Sequence, residues 1–246
     1  MLRKTVQIAD TVVNRLAALL CLPLFLICLY AMIDAANVYL NANDTAVLRY
    51  KPRLGQQQTE EVLQQIAEDA VAWLSIPDTR IDYPLMQGET NDTYINRDPF
   101  GNFSLSGSIF LDFRNSADFT DGYNLVYGHH MEHGAMFGSL DAFYQPDYFR
   151  NHRTGTLQCA TGQDYEILFF ACCKAPANEK LIFDPSASER EALLAYLAEH
   201  AAIWYPEDLP PDSPILALST CQSAETIERL ILFGALRPLT PAPETA

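Results

Sequence analysis

The sequence predicts a mainly β protein: a closed barrel of about eight strands with peripheral helices, preceded by an N-terminal transmembrane helix. Short apolar segments separated by turn residues recur from about residue 76 to residue 236, as is typical of all-β architectures. A long uncharged apolar run precedes them near the N-terminus. The composition, 49% hydrophobic and 19% charged over 246 residues, is that of a globular chain.

The apolar run extends from Leu16 to Ile33 without a charge, which is about the length that spans a bilayer. Basic residues precede it and an acidic residue follows it: Arg3, Lys4 and Arg15, then Asp34. The positive-inside rule therefore predicts a single-pass protein of the cell membrane, with its N-terminus in the cytoplasm and its folded part on the extracellular side. A cleaved signal peptide is the alternative, because small residues that suit cleavage lie at the end of the run and just after it: Ala31, Ala35 and Ala36.

Four regions follow from this pattern: a cytoplasmic stub and anchor over 1–34, a stalk over 35–58, a folded domain over 59–238 and a flexible tail over 239–246. The folded domain should open with a helix over 59–73, where Thr59 can cap apolar residues at three- and four-residue spacing. Two further helices are predicted over 139–144 and 186–203. The predicted strands are 80–85, 107–113, 123–127, 155–160, 165–174, 215–220 and 229–236.

The net charge of −15 argues against a nucleic-acid partner, since phosphate binding depends on clustered Lys and Arg. Among the six cysteines no C-x-x-C spacing occurs, so we do not expect a cysteine-bound metal. Cys172 and Cys173 are adjacent and should point to opposite faces of a strand, which would let only one of them face the core.

Three residues that can support acyl transfer stand where predicted strands begin or end. Cys221 follows the apolar run 215–220, Arg229 opens the next strand, and His129 follows the strand 123–127 and Gly128. A thiolate nucleophile needs a nearby base or positive charge, and imidazole is the usual proton carrier near neutral pH. The residues alone leave three alternatives open: a buried structural cysteine, a solvated arginine and a surface histidine.

His129, His130 and His133 form the pattern His-His-x-x-His, which invites a metal interpretation. The glutamate that directly follows the first histidine of His-Glu-x-x-His is missing, and no further ligand is evident in the sequence. The prediction is therefore that no metal and no other cofactor is required.

Three features of the sequence stand together: Tyr127-Gly128-His129-His130-Met131, Leu218-Ser219-Thr220-Cys221 and Arg229. In this combination they resemble the class B sortases. These are membrane-anchored cysteine transpeptidases of Gram-positive bacteria. Further matching segments lie at 73–76, 81–84 and 106–112, and the resemblance covers roughly residues 73–236 together with the anchor. It implies the sortase β-barrel, in line with the barrel predicted above, and makes 59–238 the catalytic domain.

The resemblance also implies roles for the three residues. Cys221 would be the nucleophile, His129 would move protons and Arg229 would stabilise the oxyanion. The substrates would be exported proteins with a C-terminal sorting signal, and the acceptor an amine of a peptidoglycan precursor or of a pilin. The residues that the resemblance suggests for substrate binding are Asn96, Tyr127, His130, Ser219 and Thr220.

Two other functions use the same residues differently. A Cys-His hydrolase would take water as the acceptor in place of an amine. A surface-anchored binding domain would keep Cys221 as a packing residue and would not catalyse a reaction.

Overall fold

The computed structural model describes residues 2–42, 45–54, 59–220 and 228–239. The chain divides into two compact units, which meet between residues 41 and 42. The first, which ends at Asn41, consists of the helix α1, Leu2–Ala42, without its last residue. Its stretch Asp10–Ala36, with a mean hydropathy of 2.7, is a candidate membrane span. Within the described residues it is the one helix long and apolar enough to cross a bilayer.

The second unit is built on a closed β-barrel, which confirms the predicted fold. The strands of the described residues are β1 Ala70–Ser75, β2 Asp82–Met86, β3 Ile109–Leu111, β4 Tyr123–Gly128, β5 Thr154–Cys159, β6 Asp164–Pro176, β7 Ile203–Trp204, β8 Ile215–Thr220 and β9 Glu228–Pro238. Eight of them follow one another around the barrel in the order β1-β2-β3-β4-β8-β9-β6-β5. The pairing of β5 with β1 completes the circle, whereas the short β7 pairs with β6 outside it.

Helices lie between the strands and on the barrel surface. The α-helices of this unit are α2 Thr59–Gln64, α3 Pro146–Asn151, α4 Lys180–Phe183 and α5 Arg190–His200. Short 3-10 helices cover Thr45–Tyr50, Glu132–Gly134, Phe137–Tyr144 and Pro206–Asp208. The helix predicted over 139–144 is thus the greater part of a 3-10 helix.

Two predicted helices have wrong limits. The helix predicted over 59–73 ends at Gln64, and its last residues belong to β1, which pairs with both β2 and β5. The helix predicted over 186–203 is shorter, Arg190–His200, with Glu189 as its N-cap. Ile203 instead begins β7.

Buried side chains form two clusters, one on each side of the barrel wall. The interior cluster receives residues from all eight barrel strands, and the outer cluster lies beneath α2, α4 and α5. Cys172 faces the interior and Cys173 faces the outer cluster, which confirms the predicted opposite orientation. The expectation that only one of them could face the core was wrong, because the helices also cover the outer face and both thiols are fully buried.

The segment before α2 packs against the barrel wall. Val47 is buried in the outer cluster, and Lys51 Nζ lies 2.8 Å from the carboxylate of Asp82 on β2. Asp82 also accepts hydrogen bonds from the indole of Trp73 and the hydroxyl of Ser75, both at 2.7 Å. Residues 45–54 of the predicted stalk are therefore connected to the barrel wall by apolar burial and by an ion pair.

Candidate active site

Three neighbouring strands end or begin at one edge of the barrel. β4 and β8 are parallel, with Gly128 opposite Thr220, so their C-terminal ends coincide. β9 runs antiparallel to β8, with Ile231 opposite Ser219, so its N-terminal end reaches the same edge. His129 directly follows β4, and Arg229 is the second residue of β9. The structure thus brings the predicted imidazole and guanidinium to a common edge.

Cys221 lies outside the described residues, but its neighbour Thr220 is held firmly. The Thr220 side chain is buried, and its Oγ1 accepts a hydrogen bond of 3.2 Å from the backbone N–H of Leu230. This bond fixes Thr220, the residue before Cys221, against Leu230, the residue after Arg229.

The guanidinium of Arg229 lies between two aromatic rings. Its Cζ is 4.9 Å from the ring centre of Phe183 and 5.9 Å from that of Tyr127. Such cation–π contacts hold an arginine in place and leave its N–H groups free to donate. Its buried Nε has no hydrogen-bond partner among the described residues. Arg229 is therefore not a solvated surface charge: it is half-buried, and within the described parts of the chain its Nε is still available to donate a hydrogen bond.

His129 is half-buried at the end of β4. Its backbone carbonyl accepts a hydrogen bond of 2.9 Å from the N–H of Phe137, while its Nδ1 is buried without a partner among the described residues. Burial lowers the pKa of the imidazole from its ordinary value, because the charged form loses solvation. The neutral ring, able both to accept and to give a proton, therefore predominates near neutral pH.

A charged network that was not predicted from the sequence adjoins Tyr127. The carboxylate of Asp112 is fully buried and accepts two side-chain hydrogen bonds from Arg114, of 2.8 and 2.7 Å. It also accepts a bond of 3.3 Å from the hydroxyl of Tyr127. One signal in the sequence could have identified this network. Asp112 directly follows the apolar strand Ile109–Leu111, and Arg114 comes two residues later.

The residues suggested for substrate binding fall into two groups. Tyr127, Ser219 and Thr220 lie on β4 and β8 at the edge with His129 and Arg229. Asn96 is exposed on the loop between β2 and β3. The ring of His130 hydrogen-bonds at 2.7 Å to Asp141. The structure therefore gathers Tyr127, Ser219 and Thr220 with the catalytic candidates, whereas the side chain of His130 is held by its separate hydrogen bond to Asp141.

Three other cysteines of the barrel, which we call the barrel cysteines, are free and fully buried: Cys159, Cys172 and Cys173. Burial raises the pKa of each thiol, in the case of Cys173 to about 12. Thiols of this kind are inert because the thiolate is the reactive form.

Comparison with known proteins finds relatives of this chain, although no protein-family model matches it. It is 30% identical to the sortase B of Listeria monocytogenes over 178 residues, which are 71% of this chain and 72% of that protein. A class B sortase of Streptococcus pyogenes involved in pilus biogenesis is 37% identical, with a TM-score of 0.66, over 72% of this chain and 97% of that one. A substrate complex of Staphylococcus aureus sortase B is 25% identical, with a TM-score of 0.67, over 75% of this chain and 87% of that one.

Proposed function

Since this chain belongs to the class B sortase family and is a sortase transpeptidase, we propose that Cys221, His129 and Arg229 catalyse its reaction. The substrate would be the C-terminal sorting signal of an exported protein, and the acceptor an amine. The common edge of β4, β8 and β9 is the observation that supports this assignment, because it joins His129, Arg229 and the residue before Cys221. The sortase-type barrel predicted from the sequence matches the relatives' fold.

In the first half-reaction neutral His129 accepts the proton of the Cys221 thiol, and the resulting thiolate attacks the carbonyl carbon of the scissile peptide bond, which lies after a Thr of the signal. The C–S bond forms and the carbonyl oxygen becomes an oxyanion, to which the guanidinium of Arg229 donates. The C–N bond then breaks, and the leaving amine takes a proton from the His129 imidazolium. A thioacyl enzyme and a neutral imidazole remain.

The second half-reaction reverses these roles. The acceptor amine attacks the thioacyl carbon and gives its proton to neutral His129, whose lowered pKa favours the neutral form in which the ring can accept it. Collapse of the second tetrahedral intermediate releases the Cys221 thiolate. Its stabilisation near the guanidinium of Arg229 would make it a better leaving group.

The cysteine chemistry of the chain supports Cys221 as the nucleophile. The barrel cysteines are buried with raised pKa values, and Cys21 and Cys28 lie in the apolar helix α1. Cys221 follows a strand end where a guanidinium is available to favour the thiolate.

Tyr127, Ser219 and Thr220 are proposed to form the floor of the signal-binding site, because they lie on the same strand ends as His129. Asn96 and His130 are proposed as peripheral contacts, since both are exposed to an incoming peptide.

The acceptor amine is proposed to belong to a pilin, with a peptidoglycan precursor as the alternative. The identity of 37% to a relative involved in pilus biogenesis, against 25% to the S. aureus enzyme, supports testing the pilin first. Incubating the thioacyl enzyme with a pilin lysine peptide and with an oligoglycine amine would separate the two by product mass.

Basic residues before the uncharged run Leu16–Ile33 and the acidic Asp34 after it support a cytoplasmic N-terminus and an extracellular catalytic domain, held by a single span. Protease added to intact protoplasts should then digest the barrel unit. Digestion only after lysis would contradict this orientation.

A fluorogenic sorting-signal peptide tests the catalytic assignment. Cys221→Ala and His129→Ala should abolish cleavage, and Arg229→Ala should lower kcat about 100-fold or more, the magnitude of losing one oxyanion donor. Arg237→Ala, at the other end of the same strand, and His200→Ala on α5 are matched controls that should retain activity. Cleavage at the wild-type rate by Cys221→Ala or His129→Ala would refute the mechanism.

Water as the acceptor would make the same residues a Cys-His hydrolase. Product analysis with and without an added amine distinguishes the two reactions. A transpeptidase should give an amide product whose yield rises with amine concentration, at the expense of the free acid.

A further inference from the structure

We propose that Arg114 is a positioning residue for Arg229, acting through Tyr127 and Phe183, the two rings that hold the guanidinium. This proposal rests on the oxyanion role of Arg229 proposed above. Nothing in the sequence resemblance assigns a role to Arg114, which lies three residues after β3.

The first connection runs from Arg114 to the ring of Tyr127. Nε and Nη2 of Arg114 bind the two oxygens of Asp112, at 2.8 and 2.7 Å, in the bidentate arrangement typical of strong arginine–carboxylate pairs. The same carboxylate accepts a bond of 2.9 Å from the amide of Asn91 and the bond of 3.3 Å from the Tyr127 hydroxyl. Arg114 therefore fixes the acceptor on which the tyrosine ring is aligned.

The charge of this acceptor depends on Arg114. Burial acts to raise the pKa of Asp112, but the hydrogen bonds from Arg114 and Asn91 outweigh it and lower the pKa overall. Without Arg114, a fully buried carboxylate would lose its countercharge and either take up a proton or draw in water. Either change would alter its bond to Tyr127.

The second connection runs from Arg114 to the ring of Phe183. Nη1 donates to the carboxylate of Asp184 and Nη2 donates to the backbone carbonyl of Phe183, both at 2.9 Å. Phe183 is the last residue of α4, which has 4 residues and is too short to be stable alone. Arg114 thus binds the end of this helix and the residue that follows it.

Arg229 depends on these two rings. Its Cζ lies 4.9 Å from the ring centre of Phe183 and 5.9 Å from that of Tyr127. Its Nε has no hydrogen-bond partner among the described residues. Among the described residues the guanidinium is therefore held by ring contacts, which allow sliding more easily than hydrogen bonds do. A misplacement of about 1 Å in a catalytic group can cost on the order of 100-fold in rate.

The test compares Arg114→Gln with Arg153→Gln in the full-length protein. Arg153 is a matched control: it is similarly half-buried, pairs with Asp208, and lies 4.6 Å over the ring of Tyr205, on another part of the barrel. Both variants should lower the melting temperature, but only Arg114→Gln should lower kcat for the sorting-signal peptide, by about 10- to 100-fold. KM should change by less than about threefold, because the rings position a group that acts in the transition state.

A double-mutant comparison separates positioning from general destabilisation. In an Arg229→Lys background the loss of kcat caused by Arg114→Gln should shrink to about twofold or less, since the lysine lacks the planar group that the rings align. Phe183→Leu, which keeps apolar volume and removes the ring, should reproduce the loss and remains measurable if Arg114→Gln does not fold.

Each outcome is decisive. Equal kcat in Arg114→Gln and Arg153→Gln, or a full loss that persists in the Arg229→Lys background, overturns the positioning role and leaves the proposed catalysis intact. Arg229→Lys with wild-type kcat would instead remove the oxyanion role itself, and with it this proposal.

Discussion

Gly128 is the position where a single methyl group should disturb the active site most. A Cβ added there would lie 2.7 Å from two atoms of the Phe137 ring, where carbon contacts are optimal at about 3.5–4.0 Å. Phe137 is fully buried, so its ring has little room to yield. Gly128→Ala should therefore reduce the free energy of unfolding by about 1–3 kcal/mol, the usual cost of an overpacked core.

The same substitution should impair catalysis, because the overlap is relieved most directly by moving the end of β4. His129 is the next residue, and its carbonyl accepts the N–H of Phe137. A shift of about 1 Å would lower kcat by on the order of 100-fold. The measurements are urea unfolding and peptide cleavage, with Gly122→Ala as the matched control, since a Cβ at that glycine meets no atom within 4 Å.

Phe137→Leu in the Gly128→Ala background provides a second check, because a smaller side chain opposite the new methyl should restore part of both losses. The reasoning is refuted if Gly128→Ala and Gly122→Ala behave alike in stability and in kcat, or if the double variant recovers neither.

Three further predictions concern groups described above. The imidazole of His129 should titrate by NMR with a pKa below the ordinary value of about 6.5. Below that pH the unfolded state binds more protons than the folded state, so the free energy of unfolding should fall as the pH drops below about 6.5. The dependence of this free energy on pH should be weaker in His129→Gln. The barrel cysteines should resist iodoacetamide in the folded protein and react after unfolding, while Cys221 reacts in both states. The free energy of unfolding should be about 2 kcal/mol larger for a chain that begins at residue 45 than for one that begins at residue 55. The shorter chain loses the burial of Val47 and the ion pair of Lys51 with Asp82. Equal unfolding midpoints would contradict this.

The sequence predicted the barrel because most of its strands are short apolar runs bounded by turn residues. It failed at β1, where Ala70 and Trp73 also fit a helical spacing. Both faces of that strand are buried, so the alternation that usually distinguishes a strand is missing. Pairing with β2 and β5, one of them distant in sequence, decides the conformation, and a local pattern does not contain this information.

The catalytic candidates could be predicted because each stands beside a strand end, a local feature of the sequence. The support for Arg229 could not. Arg114 reaches Phe183, about 70 residues away in the chain, and such a contact depends on how the barrel closes. Cys221, on which the sequence prediction centres, lies outside the described residues, and its role stays a prediction for the cleavage assay.

The parallel pairing of β4 with β8 has a consequence for how the protein folds. About 90 residues of chain connect the two strands, and closing a loop of that length costs about 4 kcal/mol of chain entropy. Contacts of this sequence separation form slowly and only when the intervening strands can offset that entropy. The thiol and the imidazole therefore remain apart in partially folded chains, and peptide cleavage should recover during refolding no earlier than the closure of the barrel.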